Sequence, residues 1–192
     1  MKKRLAIAVA ILLTACQPAP SGFVADPISF ASRGPIRLNV AEIRITQNYQ
    51  PPMRAPSVDH EFPIPPETAL KIWVHDRLTA FGQSGMMEVT IEDASVKEVK
   101  LPKTEGVKGL FTDDQDARYD AVMHVTFRLY TGAQGISDAS GDVIITKSRS
   151  INEKATVDER RKMYHDMTRD MMTQFNTEAE ARLHQYFSRY IR

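Results

Sequence analysis

The most regular pattern in the chain runs from Tyr119 to Leu129. Tyr119, Ala121, Met123, Val125, Phe127 and Leu129 interleave with Asp120, His124, Thr126 and Arg128. Strict alternation predicts a strand with one face on a core and one in water, as antiparallel sheets allow. "MMEVTIEDASVKEV", continuing to about Leu101, places Met87, Val89 and Ile91 on one face and predicts a second strand. "DVIITKSRSI" predicts a third, joined to the 119–129 strand by the turn-rich "TGAQGISDASG". "IRLNVAEIRITQNY" is the earliest strand in the chain. Its alternation of Ile36, Leu38 and Val40 slips by one residue to Ile43 and Ile45, which predicts a bulge or bend near Ala41-Glu42.

Two segments carry the helical period instead. Pro66 opens the first, where a missing amide costs nothing, and Glu67 favours the helix dipole. Leu70, Trp73, Val74, Arg77, Leu78 and Phe81 follow at three-to-four spacing, and Gly82 is the expected stop. The second helix starts near Val157, with Thr156 and Glu159 placed for a capping box. Met163, Met167, Met171, Phe175, Ala179, Leu183 and Phe187 recur every fourth residue. Over roughly 34 residues it reaches about 50 Å if unbroken, and Asn176-Thr177 offers a place for a break. A strand of about eight residues covers only ~27 Å, so the far end of this helix is expected to overhang the sheet.

The resulting order is β-α-β-β-β-α. One polar sheet face and two one-sided helices have a simple solution: both helices pack on the same face. The predicted fold is an α+β two-layer sandwich, a mainly antiparallel four-stranded sheet with two helices on one face. Two proline-rich stretches punctuate it. Residues 17–35 hold prolines at 18, 20, 27 and 35, and the segment after the first strand holds six between 51 and 66. Both read as irregular backbone.

The first sixteen residues change the picture. Met1-Lys2-Lys3-Arg4 is followed by the uncharged run Leu5 to Leu13, the basic-then-apolar pattern of an export signal. That run falls short of the roughly 20 residues needed to span a bilayer. Directly after it comes "LTAC", Leu13-Thr14-Ala15-Cys16, which resembles the lipobox of bacterial (Gram-negative) lipoproteins. The resemblance implies cleavage before Cys16 and a diacylglycerol thioether on its sulfur. It implies usual acylation of the new amine as well, with a fatty chain such as palmitate. Cys16 is the only cysteine, so an intramolecular disulfide has no second partner. Two or more acyl chains anchor a protein stably, each buried methylene contributing about 0.8 kcal/mol. Gln17, where aspartate favours inner-membrane retention, implies transfer to the outer membrane, facing the periplasm, with inner-membrane retention as the other outcome.

The organisation expected is a signal peptide over residues 1–15, a lipidated N-terminus and flexible tether over 16–35, and a single α+β domain over 36–192. Phe23, Val24, Ile28 and Phe30 are the tether positions able to dock. Removing residues 1–15 takes three of the 25 basic residues and none of the 24 acidic ones, leaving a net charge of −2. That balance gives no electrostatic case for nucleic acid.

Candidate chemistry is sparse. Gly82-Gln83-Ser84-Gly85 lacks the G-x-S-x-G spacing and joins helix to strand, so it reads as a turn, not a nucleophile elbow. None of His60, His75, His124, His165 and His184 sits at metal-ligand spacing from another. Asp113, Asp114, Asp116 and Asp120 offer hard oxygens for calcium, but the calcium-loop glycine and distal glutamate are absent, which favours a solvated turn. The expectation is therefore no catalytic residue, no metal, no cofactor, and lipidation at Cys16.

Element order and anchor together resemble small outer-membrane α/β lipoproteins that assist lipopolysaccharide assembly or lipid-transport ABC systems. The resemblance implies a non-enzymatic accessory or scaffold with a membrane anchor and an envelope protein partner. A second reading is a periplasm-facing binding module for a lipid or other hydrophobic ligand, motivated by the methionine stripe and its adaptable side chains. A cell-wall or lipid hydrolase has only the compartment in its favour.

Overall fold

A 16-residue strand, Gln115–Tyr130, is the spine of the molecule. The computed structural model describes residues 22–101, 115–132, 135–152 and 154–192. Its elements are β1 (Ile36–Leu38), β2 (Glu42–Gln47), α1 (Pro66–Arg77), β3 (Leu78–Ala80), β4 (Met86–Asp93), β5 (Val96–Lys100), β6 (Gln115–Tyr130), β7 (Ala139–Asn152) and α2 (Val157–Tyr186). The fold is α+β with two long helices, and the alternation expected for β6 is present. Tyr119, Ala121, Met123, Val125, Phe127 and Leu129 are buried, while Asp120, His124 and Arg128 are not.

The sheet differs from the expected one in count and direction. It has five strands in the order β2-β4-β6-β5, with β7 on the other side of β6, and β2 runs parallel to β4. The extra strand comes from a break in the predicted Met86–Leu101 strand. The Ser95 amide donates to Asp93 Oδ1 at 2.9 Å, which turns the chain between β4 and β5. Both pieces then pair with one edge of β6 in succession, β4 with residues 124–130 and β5 with 117–121. Along the opposite edge β7 pairs almost the whole length of β6, from Gln115–Asn152 to Leu129–Ala139.

The slip near Ala41-Glu42 is a true bend. It divides β1 from β2, and the Ala41 amide donates to the carbonyls of Ser84 and Gly85. β1 joins a separate two-stranded parallel sheet with β3, Ile36 opposite Leu78. The first helix accordingly stops at Arg77 rather than reaching Phe81, because Leu78–Ala80 is drawn into pairing with β1. Gly82 serves a different purpose from the expected helix stop. A Cβ there would lie 2.7 Å from the Asn39 carbonyl carbon, so only glycine lets the two backbones meet.

Both helices cover one face of the sheet. Trp73 of α1 packs edge-on against Phe127 of β6 and Phe175 of α2, while Tyr164 of α2 meets Tyr119 of β6. Phe127 and Tyr119 share one face of the strand, so the helical layer is single-sided. The helices run in the same direction: Phe62 stacks on Tyr164 just before α1, and Arg77 at its end reaches Glu180.

α2 is unbroken for 30 residues, about 45 Å. Asn176 continues it, buried, its Oδ1 accepting from Trp73 Nε1 at 3.0 Å and Arg77 Nε at 3.2 Å. The capping box forms, with Glu159 N–H donating to Thr156 Oγ1 and Thr156 N–H to the Glu159 carboxylate. The expected overhang is absent. β6 and β7 are 16 and 14 residues long, enough to run beneath the helix, and Leu183 and Phe187 are fully buried. Met167, Met171 and Met172 are buried too, so the methionine stripe is core.

Candidate functional site

Cys16, the expected lipidation site, lies outside the described residues, and the described chain begins at Gly22 beside α2. A side chain at Gly22 would meet the Asp158 carboxylate at 3.4 Å, in the first turn of that helix. Phe23 packs edge-on to His165, ring centroids 5.8 Å apart. From there residues 22–35 cross to α1 as an extended strap with one 3₁₀ turn, Ala31–Arg33.

Polar groups on the helices hold this strap by its backbone. His165 is buried, and its Nε2 lies 2.7 Å from the Asp26 carbonyl oxygen. Asp76 Oδ2 accepts from Ser29 Oγ at 2.7 Å and from the Phe30 amide at 2.6 Å. Burial works against ionisation of Asp76, yet the Ser29 hydroxyl and the Phe30 and Ala31 amides outweigh it. The carboxyl is held below its ordinary value of 3.8. Arg77, itself buried, donates to the Gly34 carbonyl, to Asn176 and to Glu180. Ile28 is the one strap side chain in the buried core, with Phe30 packed partly against it.

The stretch expected as a free tether is therefore, from Gly22 onward, part of the folded unit. The physical reason is that Pro27 and Pro35 disfavour helix and sheet yet leave the neighbouring carbonyls and amides in need of partners, which the helices supply. The chemistry assembled here holds backbone in place. Imidazole, carboxylate and guanidinium each contact peptide groups.

The other candidate residues are dispersed. His75 and His184 are exposed on their helices, and His124 on β6 is 3.8 Å from Asp142. His165 and Asp166 diverge as their spacing predicts, Asp166 pairing with Lys162 and Arg169. Asp113 and Asp114 lie outside the described residues, as does the side chain of Asp116. Asp120 pairs with Arg118 and accepts from Ser148. Among the described residues no three His, Cys, Asp or Glu side chains converge to hold a metal. No helix among them is long and apolar enough to cross a membrane.

Sequence reasoning missed one polar cluster in the 48–65 segment. Tyr49 Oη, Asp59 Oδ1 and His60 Nδ1 are buried without hydrogen-bond partners. Burial first, and then the Asp59 carboxylate, push the Tyr49 phenol above its ordinary value. Tyr49 also lines an open cleft of about 330 Å³ with Ser57, Asp93 and Ser95. Another cleft, of about 380 Å³, lies at the start of α2 between Ile151, Ala155 and Met163. Arg77 was legible in part, since a charged residue inside an apolar stripe signals buried polar partners.

No protein-family model matches the chain, and no curated protein matches it. Three solved structures show a distant likeness. A minor lipoprotein of Acinetobacter baumannii is 15% identical, with a TM-score of 0.38 over 75% of this chain and 93% of that one. Rare lipoprotein B of Shewanella oneidensis is 12% identical, with a TM-score of 0.30 over 74% and 98%. A PelC dodecamer of Paraburkholderia phytofirmans is 14% identical, with a TM-score of 0.20 over 78% and 90%. Likeness of that degree leaves function to be read from the residues of this chain.

Proposed function

We propose that the chain is a bacterial envelope lipoprotein. Residues 1–15 direct export and are removed, Cys16 carries the acyl chains, and the α+β domain works at the membrane as a non-enzymatic accessory or scaffold. Its partner is a protein complex of cell-envelope assembly or transport, of the kind served by lipoproteins of lipopolysaccharide assembly and ABC systems. Gln17 favours the outer membrane, with the domain facing the periplasm.

The observation that carries this reading is the ordered run of basic start, apolar stretch and Leu13-Thr14-Ala15-Cys16. The strap fits it: a domain held by its N-terminus has a use for firm ties between that terminus and its helices. The methionine stripe no longer argues for a hydrophobic ligand, because its central members are packed core.

The test is a Cys16→Ser variant in the native host. Membrane fractions should contain the native chain and lose the variant. Crosslinking in intact cells should join the native chain to an envelope complex, and the variant much less. A Cys16→Ser chain that stays with the membrane, or a native chain recovered as a lone monomer after crosslinking, contradicts the proposal.

A further inference from the structure

We infer that the end of the domain where α2 begins is its lipid-facing surface. The molecule stands on the bilayer with α2 rising from it and the β6–β7 hairpin held away. This rests on the acylation of Cys16 proposed above and adds the face that meets the membrane.

Reach decides the matter. Five residues lie between Cys16 and Gly22, and over these six chain steps a fully extended chain spans at most about 3.3–3.6 Å each, so the leash is at most about 22 Å. Gly22 sits at the first turn of α2, beside Asp158. The other end of the domain lies a helix length away. A Cβ on Gly141, near the start of β7, would lie 3.2 Å from Tyr186 and 3.6 Å from Phe187. These residues close an α2 of 30 residues, about 45 Å long. While the strap stays tied to His165, Asp76 and Arg77, a leash of about 22 Å holds the near end at the membrane and rules out contact through the far end alone.

The surface at the near end suits an anionic bilayer. Val24 and Val157 are 81% and 75% exposed, although both are apolar. Arg161, one turn into α2, is exposed and has no ion pair among the described residues. The same holds for Lys100, which shares a row across the sheet with Ala117 and Ile151 at the level of the α2 start. The exposed carboxylates of Asp158 and Glu159 lie beside Val157 as well, so the apolar side chains, which gain from the acyl boundary, make the main contribution here. The far end also carries exposed apolar and cationic groups, Ile136 and Arg37 among them, so the assignment rests on reach. Its exposed Phe81 is covered by the guanidinium of Arg37, 4.3 Å from the ring centroid, with that of Arg192 at 5.6 Å.

The chain's cysteine content makes the test clean. With Cys16 acylated, an introduced cysteine is the sole free thiol. Full-length lipidated Val157→Cys and Ile136→Cys are labelled with a fluorophore. Each is placed in vesicles of phosphatidylethanolamine and phosphatidylglycerol that carry a headgroup-borne quencher. Both positions are exposed, Ile136 at 73%, so neither substitution opens the core. Quenching should be several-fold stronger at position 157 than at 136, and should vanish at 157 when Cys16→Ser is added. Intact mass separates the two ways of failing. Acylated protein with equal quenching at both sites, stronger quenching at 136, or quenching at neither overturns the orientation and leaves the anchor standing. Protein without acyl chains overturns the anchor, and the orientation falls with it.

Discussion

Two irregular, proline-bearing segments, residues 22–35 with two prolines and 48–65 with five, are held in place in different proportions by polar ties and apolar burial. The first is tied by polar groups to its backbone, His165 to Asp26, Asp76 to Ser29 and Phe30, Arg77 to Gly34, with Ile28 as its one fully buried apolar side chain. The second adds buried apolar side chains to its backbone hydrogen bonds, among them the Val58 amide to the Val96 carbonyl and the Glu98 amide to the Pro56 carbonyl. Val58 and Phe62 are buried in the core, Phe62 stacks on Tyr164 at 4.3 Å, and Ser57 bridges to Lys97 of β5. Burial of a large side chain contributes a few kcal/mol, whereas each net hydrogen bond contributes about 1 kcal/mol. The 48–65 segment is thus part of the core, and the strap is a fastening upon it. If Cys16 is acylated as proposed, this division lets the fold persist when the tethered end moves.

The largest effect expected from this contrast is at Phe62. Phe62→Ala should destabilise the whole domain by about 3–5 kcal/mol, seen as a lower urea midpoint by circular dichroism. A loss below 1 kcal/mol would mean the 48–65 segment is as detachable as the strap. Next comes Ile28→Ala, expected near the low end of the range for buried aliphatic truncation, about 2 kcal/mol. Its signature should be local: protease cleavage within 22–35 should speed up more than global unfolding does.

A smaller cost, about 1 kcal/mol, is expected for Asp76→Ala, which removes the carboxylate holding Ser29 and Phe30. The folded-state value of Asp76 is depressed, so its tie is complete above the unfolded value of 3.8. It is lost as pH falls from there through the lower folded value. Limited proteolysis of the strap should therefore accelerate below about pH 4 in the native chain, and Asp76→Ala should abolish this acid step. Thr156→Ala sits at the bottom of the series, at about 1 kcal/mol or less for an exposed cap. It should fray the first turn of α2 in amide exchange and leave both segments in place.

How much of this was readable beforehand follows the range of the interactions. β6 and its alternation, the bend after Val40, and the Thr156–Glu159 cap depend on neighbours within a few residues, and each is where the pattern puts it. What pattern could not supply was pairing at a distance. Leu78–Ala80 has helical spacing and becomes a strand only because β1 lies alongside. Asn176 resembles a helix break until Trp73 and Arg77, over 95 residues earlier in the chain, supply its partners. The overhang expected of α2 rested on a strand of eight residues, and β7 extends to 14 by continuing through Ser140 and Gly141, residues that read as turn. The proposed anchor at Cys16 rests on the sequence motif alone. The strap's docking was not legible in the sequence, because backbone carbonyls carry no signature of which side chain will bind them.

The central claim is that this domain is fastened to a membrane through lipid on Cys16. It is tested most directly by the intact mass of the mature protein extracted from its own bacterium. The mature chain should begin at Cys16 and be heavier than its polypeptide by two or three acyl groups and a glyceryl unit. A mass equal to the bare polypeptide, or one that retains residues 1–15, would contradict it.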